Sequence, residues 1–247
     1  MILPVPYALP RSVASGAEVW AIGDAHGCFD EACAVIETIA ATPRVCERRV
    51  LVTLGDAIDR GSSGIKTLDL WRDAASHAGA DELISLQGNH EQMLRRSLAL
   101  PADGPCQDAD QRIALFLWSR NGGSAVMREL GLDTYDPEAI RTALGPARTN
   151  YLSSLRTHYR SGGLLFVHAG VDPAQNACSF LQLPWHDMPE DGNHWCWIRN
   201  PFLTAEPENG YDDAFVVHGH TTPRHEPFDR PEQIRRYRLN LDFGSFM

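Results

Sequence analysis

Five short apolar runs, each followed by a polar turn that contains glycine, constrain the fold of this chain more than any other feature. Apolar runs of this length that end near glycine are typical of buried strands. The pattern therefore predicts five strands whose ends carry side chains able to do chemistry. The predicted strands are residues 19–22, 50–54, 83–86, 164–167 and 215–217, and their turns read GDAHG, GDAIDRG, QGNHE, HAG and HGHT.

Helical patterns follow the first three turns. Residues 29–39, 64–75 and 91–98 carry apolar side chains at three- and four-residue spacing, which predicts amphipathic helices. Strand, polar turn and helix thus alternate, as is typical of the α/β class. Because ligands in such folds bind beyond the carboxyl ends of the strands, we expect the polar turns to share one edge.

Two later segments differ in character. Residues 111–160 carry helical patterns and no strand pattern, which predicts a helical insertion that walls one side of the site. Residues 183–200 are rich in aromatic and histidine side chains, and form either a surface loop held by its rings or a substrate contact. These rings belong to Trp185, His186, His194, Trp195 and Trp197.

The composition is that of an ordinary globular protein. The 247 residues are 43% hydrophobic and 22% charged, with no internal repeat, so a single domain over residues 1–247 is expected. Asp and Glu number 32 against 22 Lys and Arg, which gives a net charge of −10. Because such a surface repels phosphate backbones, no nucleic-acid partner is expected.

The cysteines and the amino-terminal residues indicate a compartment. The cysteines form no C-x-x-C pair, so we interpret them as free thiols in a reducing environment. Pro4, Pro6 and Pro10 interrupt the start of the chain, which does not resemble a signal peptide. No run approaches the ~18 apolar residues of a membrane span, so a cytoplasmic protein without a membrane partner is expected. The cysteines are Cys28, Cys33, Cys46, Cys106, Cys178 and Cys196.

The turns supply the donors that a two-metal hydrolytic site needs. Such sites use carboxylates, neutral imidazoles and one ligand that bridges ions ~3.5–4 Å apart. Any one of these turns is equally compatible with a capping Asp or Asn, but five in order after five strands favour a metal site. The candidate ligands are Asp24, His26, Asp56, Asn89, His168 and either His218 or His220.

Taken together and in order, these motifs resemble the signature of the phosphoprotein phosphatase family of metallophosphoesterases. The likeness is strongest to its bacterial and phage serine/threonine phosphatases and extends over residues 19–244. It implies a calcineurin-like metallophosphoesterase fold, in which a central β-sandwich is flanked by helices and a dinuclear metal site lies at one edge.

The resemblance also implies two divalent metal ions, with Mn2+ expected and Fe or Zn as alternatives. Asp56 is the implied bridge, and a hydroxide between the ions is the implied nucleophile for in-line attack on phosphorus. His220 is preferred to His218 because the family's last ligand follows glycine and precedes a threonine-like position. The implied ligands are Asp24, His26 and Asp56 for one ion, and Asp56, Asn89, His168 and His220 for the other.

Four further residues receive roles from the resemblance. His90 is the implied general acid, with Asp59 orienting its imidazole, and a metal ligand is the alternative role for His90. Arg60 is expected to contact two phosphate oxygens. Arg199, in the stretch WIRNPF, is either a second phosphate contact or a solvated loop residue.

The expected function is hydrolysis of phosphoserine or phosphothreonine in a protein or peptide substrate. The alternative is a nucleotide hydrolase that resembles symmetrical diadenosine tetraphosphatase, with Phe116, Trp118 or Trp185 against adenine. Asp59 and Glu91 favour the phosphatase, because the nucleotide hydrolases usually lack the first and have Asp in place of the second. A phosphopeptide-binding module without activity is disfavoured, because all implied site residues are present.

The chain departs from the family pattern near its last residues. Phe243 stands where the family usually has threonine. The residues after it, to Met247, are too few for the strand that follows this position in the family.

The bridging assignment predicts different metal losses for two variants. Because Asp56 would serve both ions, Asp56→Asn should lower the occupancy of both sites, whereas Asp24→Asn should mainly weaken one. Metal analysis of each purified variant measures the difference. Two retained ions and near-normal turnover in Asp56→Asn would contradict the assignment.

Overall fold

The first of two sheets contains the three amino-terminal strands. The computed structural model describes residues 8–104, 107–208, 210–222 and 234–245. The three strands are parallel in the order β1-β2-β3, with helices in the connections between them, as the alternating pattern predicts. These elements are β1 (Ala17–Ile22), α1 (Phe29–Ala41), β2 (Arg48–Thr53), α2 (Gly64–Ala78), β3 (Glu82–Ser85) and α3 (Asn89–Leu98).

The second sheet has the order β4-β5-β6-β8-β7. Its three inner strands are parallel, and the two edge strands are antiparallel to their neighbours. The predicted strands at 164–167 and 215–217 are confirmed as two of these three inner strands, β5 and β6. The strands are β4 (His158–Ser161), β5 (Leu164–Val167), β6 (Phe215–His218), β7 (Ile234–Arg235) and β8 (Arg238–Asn240).

The sheets pack face to face, which confirms the expected sandwich. Alternate residues of β2, Val50 and Val52, point into the space between the sheets and meet Phe166 and Val217 of the second sheet. Leu51, between them in sequence, points outward and packs in the cluster under α1 and α2. On the far side, Val216 packs against rings of the loop that follows β5, among them Trp195.

The helical insertion is confirmed, with different bounds and one correction. It begins at α4 (Asp108–Arg120), continues through α5 (Ser124–Leu130) and ends with α6 (Pro137–Ser154), while a short 3-10 helix, Pro101–Asp103, precedes it. The expectation of no strand before residue 160 was wrong, because β4 forms a hairpin with β5. Its two-residue loop is Gly162 and Gly163, and Gly162 has the positive φ of 56° that such loops require.

The remaining elements bear on the other expectations. A short α7 (Ala177–Phe180) lies between β5 and β6. The five described cysteines carry free thiols, and Cys106 lies outside the described residues. Across the described helices, none is both long and apolar enough to span a membrane. Strand β8 lies just before Phe243, and residues 246–247 are outside the described ranges.

Candidate active site

The ends of the strands bring the six predicted ligands to one edge of the sandwich. β1 leads to Asp24 and His26, and β2 leads to Asp56. β5 and β6 lead to a histidine each, and α3 begins with an asparagine. All six side chains are buried, so the site lies within the fold. Besides Asp24, His26 and Asp56, the six predicted ligands are Asn89, His168 and His220.

Asp56 lies between two groups of imidazoles. Among the residues that the structure describes, candidate metal ligands gather within 4.8 Å of one another as His26, Asp56 and His90, and as Asp56, His168 and His220. Asp56 Oδ2 is 3.5 Å from Nε2 of both His26 and His168. One carboxylate thus faces both groups, which is the arrangement that a bridging ligand needs.

Asn89 adds a neutral oxygen to the second group. Its Oδ1 lies 3.1 Å from His168 Nε2 and 2.9 Å from His220 Nδ1. Asn89 is the first residue of α3, so the start of this helix fixes the position of the amide. The second group therefore combines one carboxylate, one amide and two imidazoles.

Backbone carbonyl groups select the tautomer of three imidazoles. His26 Nδ1 lies 3.0 Å from the Ile58 carbonyl oxygen, and His168 Nδ1 lies 2.9 Å from that of Leu54. Because a carbonyl oxygen only accepts, these Nδ1 atoms carry the protons and donate, leaving a lone pair on each Nε2. His220 is the reverse case, since its Nε2 donates to the Trp197 carbonyl oxygen at 3.1 Å.

The free lone pairs converge on other acceptors. Nε2 of His168 and Nδ1 of His220 both face the Asn89 oxygen. Neither nitrogen has a proton to donate to that oxygen, because the other nitrogen of each ring carries it. A divalent cation stabilises such a convergence of acceptors, and imidazole, carboxylate and amide oxygen are ligands that it accepts. The residues present therefore fit a metal centre.

The pKa values of the candidate ligands also favour a bound cation. Burial lowers the pKa of His26 to about 4, and burial also lowers the pKa of His168 and His220, so these rings are neutral near pH 7. Burial raises the pKa of Asp24 well above its usual range, and the charges of Asp242 and Asp56 add to this effect. A nearby cation reverses such a shift by stabilising the carboxylate.

Asp24 lies beside the second group by a different contact. Its two carboxylate oxygens accept the backbone N–H of His220 at 3.2 and 3.0 Å. A Cβ on Gly219 would lie 2.1 Å from Asp24 Oδ1, so only glycine leaves room for this approach. Asp24 belongs to neither of the two three-residue groups, and its part in holding an ion stays a prediction.

The site is built on strained backbone. Of the eight non-glycine residues with positive φ in the described ranges, five lie in the site. Left-handed conformations cost free energy in residues with a Cβ and persist where surrounding contacts hold them. For example, the Asp56 carbonyl oxygen accepts the His26 N–H at 2.8 Å and ties the first two turns together. The five are His26, Asp56, Asp59, Arg60 and His220.

His90, Asp59 and Arg60 form a second feature beside Asp56, in which His90 and Asp59 are buried and the exposed Arg60 marks the mouth of the site. His90 Nδ1 lies 2.7 Å from Asp59 Oδ2, and His90 Nε2 lies 3.2 Å from Arg60 Nη2. Burial opposes the charge on His90, but Asp56 and the hydrogen-bonded Asp59 hold its pKa above the usual value. Arg199 is exposed, and partial burial lowers its pKa, while the charge of Asp56 raises it and that of Arg60 lowers it.

His218 points away from the metal ligands. Its ring packs edge-on against Phe202 at 4.9 Å between centroids, and its Nε2 is 3.2 Å from Arg238 Nη1. Residues two positions apart in a strand face the same side, but β6 ends at His218 and His220 has a left-handed backbone with φ of 68°, so the two rings lie in different surroundings. The structure therefore places His220, the preferred of the two histidines, beside Asp56.

Two carboxylates of the site were not assigned a structural role from the sequence. Glu91 accepts the backbone N–H groups of Asp56 and Ala57, both at 2.8 Å, and of Gly88 at 3.1 Å. A glutamate three residues after a helix N-cap is a known capping signal and could have indicated this position. Asp242 is buried beside Asp24, and an apolar run followed by D-x-G at 239–244 repeats the pattern of the other turns.

Comparisons with known proteins agree with this geometry. The sequence model of the calcineurin-like phosphoesterase family matches residues 17–243. Serine/threonine-protein phosphatase 1 of Salmonella typhimurium is 33% identical over 122 residues, which are 49% of this chain and 46% of that protein. Symmetrical bis(5'-nucleosyl)-tetraphosphatase of Xanthomonas oryzae pv. oryzae is 27% identical over 160 residues, which are 63% of this chain and 39% of that protein. The matched segments thus span less than half the length of either relative.

Two solved structures share the fold. A cold-active protein-tyrosine phosphatase of a psychrophilic Shewanella species aligns with a TM-score of 0.56 and 16% identity, covering 95% of this chain and 75% of that chain. A serine/threonine phosphatase of Saccharomyces cerevisiae aligns with a TM-score of 0.55 and 14% identity, covering 92% and 67%. At these identities the likeness confirms the architecture alone.

The contacts of Glu91 predict a stability loss on substitution. Glu91→Gln replaces one carboxylate oxygen by an amide that faces backbone N–H groups, so the free energy of unfolding should fall by about 1–3 kcal/mol. Urea unfolding at pH 8 measures the change. The exposed Glu37→Gln on α1 is the matched control and should change stability by less than about 0.5 kcal/mol. Equal stability of the two variants would contradict the role of Glu91.

Proposed function

This chain belongs to the calcineurin-like phosphoesterase family, and from that premise we propose that it is a metal-dependent phosphomonoesterase that acts on phosphoserine or phosphothreonine in proteins. One observation carries the proposal. The carboxylate of Asp56 faces two groups of histidines, while Arg60 and the His90–Asp59 pair lie directly beside it. Hydrolysis of a phosphate monoester uses metal ligands, a cationic side chain that binds the phosphate oxygens, and a proton donor for the departing oxygen, and this arrangement offers all three.

The donor set supports two divalent ions. Asp24, His26 and Asp56 would hold one ion, and Asp56 with the amide and imidazoles of the second group would hold the other. Mn2+ is the proposed metal, with Fe or Zn as alternatives, because mixed imidazole and carboxylate ligands suit all three. When bound, such ions neutralise the charge of a phosphate dianion and lower the pKa of water towards neutrality.

Arg60 and the His90–Asp59 pair would bind the phosphate and move a proton. Arg60 offers a planar guanidinium that contacts two phosphate oxygens, and Arg199 is a second candidate for this contact. As water adds to phosphorus opposite the serine oxygen, the bond between phosphorus and that oxygen breaks. His90 gives its Nε2 proton to the departing oxygen, while Asp59 accepts a hydrogen bond from Nδ1 and fixes the ring.

The pairing with Asp59 favours a proton donor over a metal ligand at His90. His90 Nδ1 lies 2.7 Å from Asp59 Oδ2, and the charges of Asp56 and Asp59 hold the pKa of His90 above its usual value. A ring with a raised pKa keeps a proton on each nitrogen, which a metal ligand could not do. The role of proton donor is therefore the one we propose.

A symmetrical dinucleotide tetraphosphatase is the second candidate. It is favoured by the longer matched segment, 160 residues against 122 for the protein phosphatase. It is disfavoured by the aromatic residues expected to hold adenine. Trp118 is fully buried, and Trp185 covers the Arg95 guanidinium at 3.8 Å, which leaves the exposed Phe116.

The two candidates predict opposite substrate preferences. We expect kcat/KM for a phosphoserine peptide to exceed that for diadenosine tetraphosphate, because two of the three rings expected to hold adenine, Trp118 and Trp185, are already engaged within the fold. Steady-state kinetics on both substrates with Mn2+ measures the ratio. The Asp56→Asn variant, purified in the same way, controls for contaminating phosphatases. A preference of about tenfold or more for the dinucleotide would contradict the proposal in favour of the second candidate.

A further inference from the structure

One side chain of the helical insertion contacts Asp59 of the His90–Asp59 pair. Trp118, on α4, donates its indole N–H to both carboxylate oxygens of Asp59, at 2.9 Å to Oδ1 and 3.0 Å to Oδ2. Asp59 Oδ2 in turn lies 2.7 Å from His90 Nδ1. Indole, carboxylate and imidazole therefore form one continuous chain of hydrogen bonds that ends at His90.

The indole is held firmly in this position. Trp118 is completely buried, and the Tyr135 ring packs edge-on against it at 5.6 Å between centroids. On another side, a Cβ on Gly123 would lie 2.6 Å from the indole, so the backbone itself is in contact with the ring. Rotation of the indole would require several elements to repack.

Asp59 depends on a second donor of this kind. It is fully buried and has a left-handed backbone, with φ of 70°. A carboxylate bonded only to His90 could turn about its terminal torsion, which has a broad energy well, and exchange its two oxygens. An indole N–H shared between both oxygens fixes the plane of the carboxylate. The oxygen at His90 Nδ1 is then always presented in the same direction.

We propose that Trp118 is a positioning residue for the proton transfer by His90, acting through Asp59, an inference that rests on the proposed function. The hydrogen bonds carry the inference, since Trp118 is completely buried and its indole N–H donates to the Asp59 carboxylate. The insertion thus supplies a residue that positions the His90–Asp59 pair. Its effect is confined to the step in which His90 gives a proton to the departing oxygen.

Substrates with different leaving groups test this role. A serine alkoxide needs a proton as it departs, whereas a nitrophenolate leaves largely unaided. Trp118→Phe should lower kcat about 10- to 100-fold on a phosphoserine peptide, which is the fold-change for losing a hydrogen bond to a charged group. The loss on p-nitrophenyl phosphate should be clearly smaller, with metal content and KM unchanged. Equal losses on both substrates would overturn the inference.

A double-mutant cycle tests whether the effect passes through His90. His90→Asn removes the proton donor and should cost about 10²- to 10⁴-fold on the peptide. Because Trp118 would act only through His90, adding Trp118→Phe to His90→Asn should cause little further loss. If the fold-loss in kcat of the double variant equals the product of the two single losses, Trp118 acts independently of His90, and the inference is overturned.

Trp195→Phe is the matched control. Trp195 is also completely buried, and its indole N–H donates to the Leu183 carbonyl oxygen at 3.1 Å. This variant loses a buried indole hydrogen bond of similar length that lies outside the chain to His90, so its activity ratio between the two substrates should stay at the wild-type value. A ratio that shifts as much as in Trp118→Phe would assign the effect to general loosening and overturn the inference.

A second substitution at position 118 and a comparison with the wild-type protein complete the test. If Trp118→Phe does not fold, benzothienylalanine at position 118 keeps the shape of indole without its N–H, and the same substrate selectivity is expected. Wild-type protein that hydrolyses p-nitrophenyl phosphate but no phosphoserine peptide would overturn the proposed function, and with it the inference. An active wild type with a selective loss in His90→Asn but none in Trp118→Phe would overturn the inference alone.

Discussion

The buried carboxylate of Asp56 is the point on which the rest of the structure depends. One of its oxygens lies 3.5 Å from ring nitrogens of His26 and His168, and backbone carbonyl groups hold the ring protons of both on the far side. Lone pairs therefore face lone pairs inside the protein. Such an arrangement costs free energy unless cations lie between the acceptors, so the fold must hold it by other contacts.

Those contacts come from the start of α3 and from the turn that follows β6. Glu91, in the first turn of α3, accepts the N–H groups of the loop that carries Asp56. On the opposite side, the backbone of His220 donates to Asp24, and Gly219 allows the two turns to approach closely. The sheets supply a rigid core beneath the turns, so the left-handed residues of the site are held by packing and hydrogen bonds.

Much of the site could be predicted because its residues follow directly from strands. Val50 and Val52 are buried by the sandwich, and the end of their strand fixes where Asp56 must lie. The sequence was less informative where a partner lies far along the chain. β4 was missed because its strand character comes from pairing with β5 across two glycines. Likewise, nothing near Trp118 in sequence signals an indole bonded to Asp59, since that contact depends on how α4 packs.

The account rests on two metal ions that share Asp56. Anomalous diffraction from crystals grown with Mn2+ tests this directly, because it locates each ion without reference to activity. We expect two peaks on either side of the Asp56 carboxylate, one beside His26 and the other beside His168 and His220, separated by ~3.5–4 Å. A single peak, or peaks that do not contact Asp56, would contradict the account.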